Sequence, residues 1–531
     1  MKSPFFPTGK INKKALAAPD KNAFRSAYCA PETPRQEKIC SVFSHVLEMD
    51  EIGIDDDFYD LGGDSIRTMQ AAVMLEELGV SVSLLYKCRT ARKLSLALDE
   101  EGADGKTDAE RNIKALEHDQ HLSCFQLYMF DYQLYAPSTI MWNMPRAWKY
   151  SKKDVNVGKI KKAYEQVLAA HPVFRTVLLY DDACELMQHY DETLPITVPV
   201  EMIAEEDAAH VLQKLIQPFR LLNEPLYRAR LFETEKSVYL FIDMHHMISD
   251  GISMQVFVEH LTRAYEGEAL PEDLYYLFVR DKFKKHISGA PSEERAYFES
   301  RYGGKAWICG LTPEMESRES SFDNIVLPLG VEAKELETYC RKAEISRNAF
   351  LQTVALLTVA YMENADDVML GWVYSGRDDP RMNSSIAMLI KEIPTALSLN
   401  DLPDVRSIYS SVRKQMNQGL VNGDYPYLTI NSSAAENDVF CFIDEGDLLD
   451  LKGPGSFPSE EVPLVSTNAL GWLMALVIFN KDGVYMNLNY ASKRYHTETM
   501  ERYCSLYQQI ASRMMEARPE TAIRDIFEKL H

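Results

Sequence analysis

Apolar residues along this chain follow two different rhythms, and the change between them divides the sequence. From Thr33 to Leu98 the spacing is helical: Ile39, Val42, Phe43, Val46 and Leu47 fall on one face of a helix. "TPRQ" opens that helix as a capping box, with Thr33 as N-cap, Pro34 at the first helical position and Gln36 reaching back. "DEIGIDDDFYDLGGDS" reads as a loop rich in Asp and Gly. A second helix runs from about Ser65 to Leu78 and stops at Gly79, and Thr90 caps a short last helix through Leu98. The spacing thus predicts a small all-helical domain over residues 32–100, near the lower size at which one core suffices. The polar segment Asp99–Arg111 reads as a linker.

From His118 onward helical stretches alternate with β-rich ones. Val155–Pro172 and Arg347–Ala365 read as helices. "VFRTVLLY", "SVYLFIDMHH" and "VMLGWVYSG" read as strands, and "GWLMALVIF" and "GVYMNLNYA" as a late pair around Lys481-Asp482-Gly483. This α/β part exceeds the usual size of a single core, so two lobes are expected, 118–290 and 291–531, with the break near residues 286–296.

Composition narrows the field. Acidic residues outnumber basic ones, 79 to 57, for a formal charge of −22, and no dense Lys/Arg block appears. The average field repels a phosphate backbone, so a nucleic-acid partner is not expected. The nine cysteines are odd in number and include no CxxC pair, which argues against a disulfide framework or structural metal site and fits a reducing cytoplasm. "MKSPFFPTGK" lacks the apolar core of a signal peptide. The longest apolar run, Ala469–Phe479, is too short to cross a bilayer and reads as a buried strand, so no membrane association is expected.

Two segments carry candidate chemistry. In "DLGGDSI" (Asp60–Ile66) two glycines permit a tight turn and Ser65 stands at a helix start, where a serine ordinarily caps. In "MHHMISDG" a strand runs into His245-His246, Asp250-Gly251 forms the turn, and Ser253 can cap the next helix. A pair of histidines alone is more often structural, and no carboxylate or cysteine pattern completes a zinc site around it.

Read over its whole length, "FYDLGGDSIRTMQ" resembles a peptidyl carrier protein of the nonribosomal peptide synthetases. That resemblance implies a small four-helix carrier domain at residues 32–100, with 4′-phosphopantetheine attached to Ser65 by a phosphopantetheinyl transferase. A helix N-terminus favours the added phosphodiester charge. Residues 118–531 resemble a condensation domain of the same synthetases, a two-lobed relative of chloramphenicol acetyltransferase. "HHMISDG" matches the HHxxxDG signature, and "HLSCFQLYMF", "HPVFRTVL", "PFRLLNEPLYRARL", "YSGRDDP" and "NGDYPY" resemble other family segments. "IAMLIKEIPTAL" departs: Ala387, Lys391 and Glu392 replace the usual Gly, Asn and Thr, placing two charges that either alter substrate choice or form a pair. "FPTGKINKKAL" resembles the last motif of an adenylation domain, with Lys10 in the lysine position; residues 1–18 then read as a residual tail, with linkers at 19–31 and 101–117.

The resemblance implies peptide-bond formation, from a thioester on the arm at Ser65 to the α-amine of an acceptor on a downstream carrier, with an adenylation domain upstream. His246 is expected to accept the proton or aim the amine, and His245 to pack behind it. Asp250 is expected to hold the loop through an arginine, with Arg377 and Arg175 as candidates, and Gly251 to give the turn its freedom and to place an amide near the reacting carbonyl. Two alternatives remain: an epimerisation domain, which shares the histidine strand but ordinarily has a Glu-Gly-His-Gly-Arg segment not found here, and a degenerate docking platform. A heterocyclisation domain would carry aspartates in place of the histidines.

Overall fold

The computed structural model describes residues 28–47, 49, 51–61, 63, 65–75, 78, 80, 84–85, 88–102, 119–282, 293–316, 321–377, 379–425, 440–446, 453–455, 458–464, 473–480, 483–528 and 530. The chain divides into two compact units, one built mainly from residues 1–105 and the other mainly from residues 106–531. The adenylation-like tail with Lys10, Gly79, most of the two linkers and the expected lobe boundary at 290 lie outside the described residues.

The smaller unit is helical, with α1 (Pro34–Leu47), α2 (Ser65–Met74) and α3 (Ala91–Gly102). Leu84, Leu85 and Cys88 are also helical. The predicted cap of α1 forms, since Gln36 N donates to Thr33 Oγ1 at 3.2 Å, but the Gln36 side chain accepts from Glu32 N (2.8 Å) rather than from Thr33. Thr90 caps α3 as expected, accepting from Lys93 N at 3.3 Å. The apolar faces meet in a core of Ile39, Phe43, Phe58, Ala71, Leu75 and Leu94, with the Phe43 and Phe58 rings 4.6 Å apart.

Among its described residues the larger unit holds three sheets. The first is small, in the order β1 (Gln120–His121), β4 (Leu186–Tyr190), β3 (Thr176–Tyr180). The second runs β12 (Ser459–Glu461), β2 (Asn143–Ser151), β7 (Ser237–His245), β6 (Tyr227–Glu233), β5 (Val200–Met202). The third runs β10 (Lys391–Ser398), β9 (Asp367–Tyr374), β11 (Cys441–Gly446), β13 (Leu473–Asn480), β14 (Gly483–Ala491), β8 (Phe322–Pro328). The late strands pair antiparallel as expected, Leu473 opposite Tyr490. β12 comes from the C-terminal half yet extends the second sheet, Glu461 facing Trp148.

Among the described residues two large cores result, which fits the two-lobed α/β arrangement expected from the size of this part. One gathers β2, β6 and β7 with helices α5 (Val157–Ala170) and α6 (Gly251–Glu266) around Trp148, Tyr164, Leu240 and Phe257. The other surrounds helix α7 (Arg347–Glu363), whose residues 349–360 are all buried. Ile386 and Met388 belong to the first core although their sequence lies in the second lobe. β7 is buried along all nine residues. Its alternate side chains enter two clusters: Val238, Leu240, Ile242 and Met244 on one face, Tyr239 and Phe241 on the other. By that alternation Asp243 and His245 continue the second face.

Candidate functional site

His246 stands one residue beyond β7. His245 is paired across the sheet with Asn143, and His246 N then donates to Trp142 O at 2.7 Å, carrying the pairing one step past the strand. The two imidazoles have opposite environments. His245 is fully buried. Its Nε2 lies 2.8 Å from Gln133 Oε1, and its Nδ1 accepts from Met247 N at 3.1 Å. Burial, aided by His246 and Arg228, lowers its pKa to about 3, so the ring is neutral. Both of its ring nitrogens are thus engaged inside the protein.

His246 is partly exposed. Its Nδ1 is buried with no hydrogen-bond partner, and Nε2 is the nitrogen left accessible. The Trp142 ring meets the imidazole edge-on at 6.3 Å. Burial holds the His246 pKa below its ordinary value; its own carbonyl, Asp250 and the Ser249 carbonyl oppose this without a completed hydrogen bond. The ring is therefore mostly neutral near pH 7.

Asp250 is the N-cap of α6, its Oδ1 accepting from Ser253 N at 2.7 Å. The same oxygen lies 3.0 Å from Arg377 Nη2, and Oδ2 accepts from Leu389 N at 3.2 Å. Arg377 also donates to Ser385 O (3.0 Å), to Met382 O and to Ser253 Oγ (3.2 Å). Ser253 Oγ in turn accepts from Ala387 N at 3.0 Å. Of the two arginines proposed for Asp250, Arg377 is the partner. Arg175 is elsewhere, its Nε donating to Leu194 O at 3.2 Å, because the short helical turn at Pro172–Arg175 leads it away from the loop.

Gly251 corrects one expectation. It is the first residue of α6, its φ is not in the left-handed region, and nothing lies within 4 Å of where a Cβ would stand. The glycine answers no backbone demand; it leaves space open. At the departing segment, Lys391 pairs with Asp424 (3.2 Å) while almost wholly buried.

Sequence reasoning missed the helix that braces the histidines. α4 (Cys124–Tyr135) begins with a capping box in which Ser123 and Gln126 bond reciprocally. Gln126 Nε2 also donates to Met247 O at 2.7 Å, and Gln133 holds His245. The signal was present: Ser-x-x-Gln, then a second glutamine two turns on along the same face.

In the smaller unit Ser65 is the first residue of α2; Asp64 lies outside the described residues. The preceding loop is braced by Arg89, which contacts Asp57 Oδ2 at 2.8 Å and Asp60 Oδ1 at 3.2 Å. Gly63 N donates to Phe58 O at 2.8 Å, and a Cβ at Gly63 would collide with the Phe58 ring and carbonyl. The loop is thus pressed onto the core just before the serine that begins α2.

Two sheeted lobes, with a buried strand ending in an accessible imidazole, define the condensation fold. Residues 116–527 match the family described as the Condensation domain, and the chain belongs to that family. Residues 37–98 match the phosphopantetheine attachment site family. Tyrocidine synthase 2 of Brevibacillus parabrevis is 26% identical over 536 residues, covering 96% of this chain and 15% of that protein. Surfactin synthase subunit 2 of Bacillus subtilis (strain 168) is 25% identical over 401 residues, covering 73% of this chain and 11% of that protein. The chain therefore spans less than a sixth of the length of these relatives. Among solved structures, the X-domain from teicoplanin biosynthesis aligns with a TM-score of 0.62 at 18% identity, over 76% of this chain and 96% of that one. That X-domain has also been solved in complex with OxyB. The starter condensation domain of rhizomide synthetase RzmA aligns with 0.61 at 16%, over 78% and 99%. At these identities the likenesses concern the fold. Among the described residues no helix is long and apolar enough to cross a membrane.

Proposed function

We propose that this chain is a carrier–condensation pair of a nonribosomal peptide synthetase. In this reading an aminoacyl or peptidyl group leaves a thioester on the smaller unit, and the α-amine of an acceptor on a second carrier takes it, forming a peptide bond. The observation that carries the reading is the partly exposed imidazole of His246, one residue beyond the end of a buried strand, while the His245 and Asp250 side chains of the motif are spent on structure.

Ser65 is assigned as the attachment residue, at the start of α2 behind the loop that Gly63 seats on Phe58. A 4′-phosphopantetheine arm, when bound there, supplies the thiol that holds the acyl group. His246 is assigned the role beside the reacting amine. An α-amine has an ordinary pKa of about 8, so a useful fraction is already neutral near pH 7. An imidazole whose own pKa is depressed is a weak base, so hydrogen-bonding and aiming the amine precede acceptance of the proton it sheds as the C–N bond forms. His245, Asp250 and Arg377 hold that imidazole's loop, and Gly251 leaves space beside it. The lobes are taken as 118–290 and 291–531 and the carrier as 32–100. A phosphopantetheinyl transferase, an adenylation domain upstream and a further carrier module downstream are the implied partners, and a cytoplasmic location suits nine unbridged cysteines.

A second reading, a condensation-like docking platform, draws on the likeness to the X-domain. One experiment separates the two. Ser65 is loaded with an aminoacyl-pantetheine, an aminoacyl-loaded downstream carrier is added, and both proteins are followed by intact mass. Peptide transfer that His246→Ala abolishes in a folded protein supports condensation. Inversion at the donor α-carbon without transfer supports epimerisation, and binding with neither change supports the platform.

A further inference from the structure

The Gln133 side chain has its two ends committed to different partners. Its Nε2 donates to Phe219 O at 2.9 Å. A backbone carbonyl only accepts, so the amide nitrogen must face Phe219 and Oε1 must face His245. Oε1 in turn only accepts, and it lies 2.8 Å from His245 Nε2. The proton of the neutral ring is therefore on Nε2, leaving Nδ1 as a lone pair, which accepts Met247 N at 3.1 Å. One amide orientation thus fixes one tautomer, and that tautomer fixes the peptide immediately after His246. On the other side of the same residue Gln126 Nε2 donates to Met247 O at 2.7 Å, and His246 N is tied to Trp142 O at 2.7 Å. The backbone on both sides of the imidazole is held at three points, one supplied directly by α4 through Gln126 and a second set by α4 only through Gln133 and the His245 ring.

We propose that Gln133 is a positioning residue for His246: it sets the His245 tautomer, which, together with the Gln126 clamp on Met247, aims the His246 ring. The proposal deepens the condensation reading and rests on it for its effect on transfer. A protonated His245 would turn an N–H toward the Met247 N–H and break the chain of bonds. The titratable and charged groups facing His245 are His246 and Arg228; Arg228 stacks on Phe219 at 3.8 Å and is itself paired with Asp243 at 3.0 Å.

Two near-isosteric variants test it. Gln133→Met removes both hydrogen bonds while keeping side-chain length. Gln133→Glu behaves differently with pH: a neutral carboxyl reproduces both bonds, donating to Phe219 O and accepting from His245, whereas a carboxylate opposes the Phe219 carbonyl and favours a charged His245. The first readout is independent of transfer: imidazole nitrogen NMR shifts of His245 in the intact chain. The Nε2–H tautomer is expected in the wild type and a mixture in Gln133→Met. The second readout is transfer between loaded carriers. Gln133→Met is expected to lower kcat about 10-fold to 100-fold with little change in KM for the acceptor carrier. Gln133→Glu is expected to approach wild-type kcat at low pH and fall away as pH rises, a dependence that a mere packing role does not create. The proposal is overturned if wild-type His245 carries its proton on Nδ1 or on both nitrogens. It is also overturned if folded Gln133→Met keeps the tautomer and the kcat, or, should Gln133→Met not fold, if Gln133→Glu follows the wild-type pH profile. A wild type that transfers nothing sinks the condensation reading and leaves the tautomer result standing.

Discussion

Asp250→Ala removes an ion pair, a helix cap and a backbone contact in one step. The carboxylate and the Arg377 guanidinium are 1% and 3% exposed and 3.0 Å apart. Taking away one partner of such a pair leaves the other charge buried and costs about 3–5 kcal/mol. The same carboxylate caps α6 through Ser253 N, a contribution of about 0.5–2 kcal/mol. It also satisfies Leu389 N, whose loss adds about 1–3 kcal/mol. These effects share atoms and do not add, so the expected destabilisation is about 4 kcal/mol or somewhat more. Urea unfolding followed by tryptophan fluorescence isolates the unit concerned, because all five tryptophans (142, 148, 307, 372 and 472) lie beyond residue 105. The companion variants are Arg377→Met and the double mutant. Once Asp250 is gone, removing Arg377 relieves a stranded charge, so the double mutant should be less destabilised than the sum of the singles by about 1–3 kcal/mol. Additivity within about 0.3–0.5 kcal/mol refutes the account of a buried, mutually dependent ion pair.

Other expectations follow from the same geometry. His245 has an ordinary pKa of about 6.5 when unfolded and about 3 in the fold, so between these values the unfolded chain binds more protons, and stability falls as pH falls, by up to about 1.4 kcal/mol per unit. His260, lowered to about 4 by burial, acts in the same direction; unfolding midpoints from pH 7 to pH 5 should decline less steeply in His245→Gln than in the wild type. Gly251→Ala should leave stability unchanged or raise it by about 0.4–1 kcal/mol, since the site is open and φ ordinary; a clear loss in the same unfolding assay contradicts this. Gly63→Ala should destabilise the smaller unit by about 1–3 kcal/mol through collision with Phe58, seen as faster amide exchange in α1–α3 while tryptophan fluorescence stays native.

The elements that position the site were legible where local rules dominate. In "SVYLFIDMHH" the stretch Val238–Ile242 is continuously apolar because β7 is covered on both faces, and the segment became the nine-residue strand Ser237–His245. The Asp250–Arg377 pair was legible as one of two options, since a buried carboxylate needs a cation, but sequence separation alone does not rank Arg377 against Arg175. Contacts made by chain segments far apart left weaker traces. Gln126 and Gln133 gain their meaning only when the helix that carries them is laid against the strand end, and Lys391 finds Asp424 only through the packing of its lobe. The role of Gly251 was misread because a glycine after an aspartate suggests a left-handed turn, whereas here the aspartate caps a regular helix.

The account stands most directly on His246. In a single-turnover experiment, acyl-loaded wild type and acyl-loaded His246→Ala are each mixed with a loaded acceptor carrier and quenched at intervals, and the acyl mass on each protein is read. The account predicts that the acyl group moves from Ser65 to the acceptor in the wild type and at least about 100-fold more slowly in the variant, whose tryptophan fluorescence remains native. Equal rates in the two proteins, or no transfer from a loaded and folded wild type, contradict it.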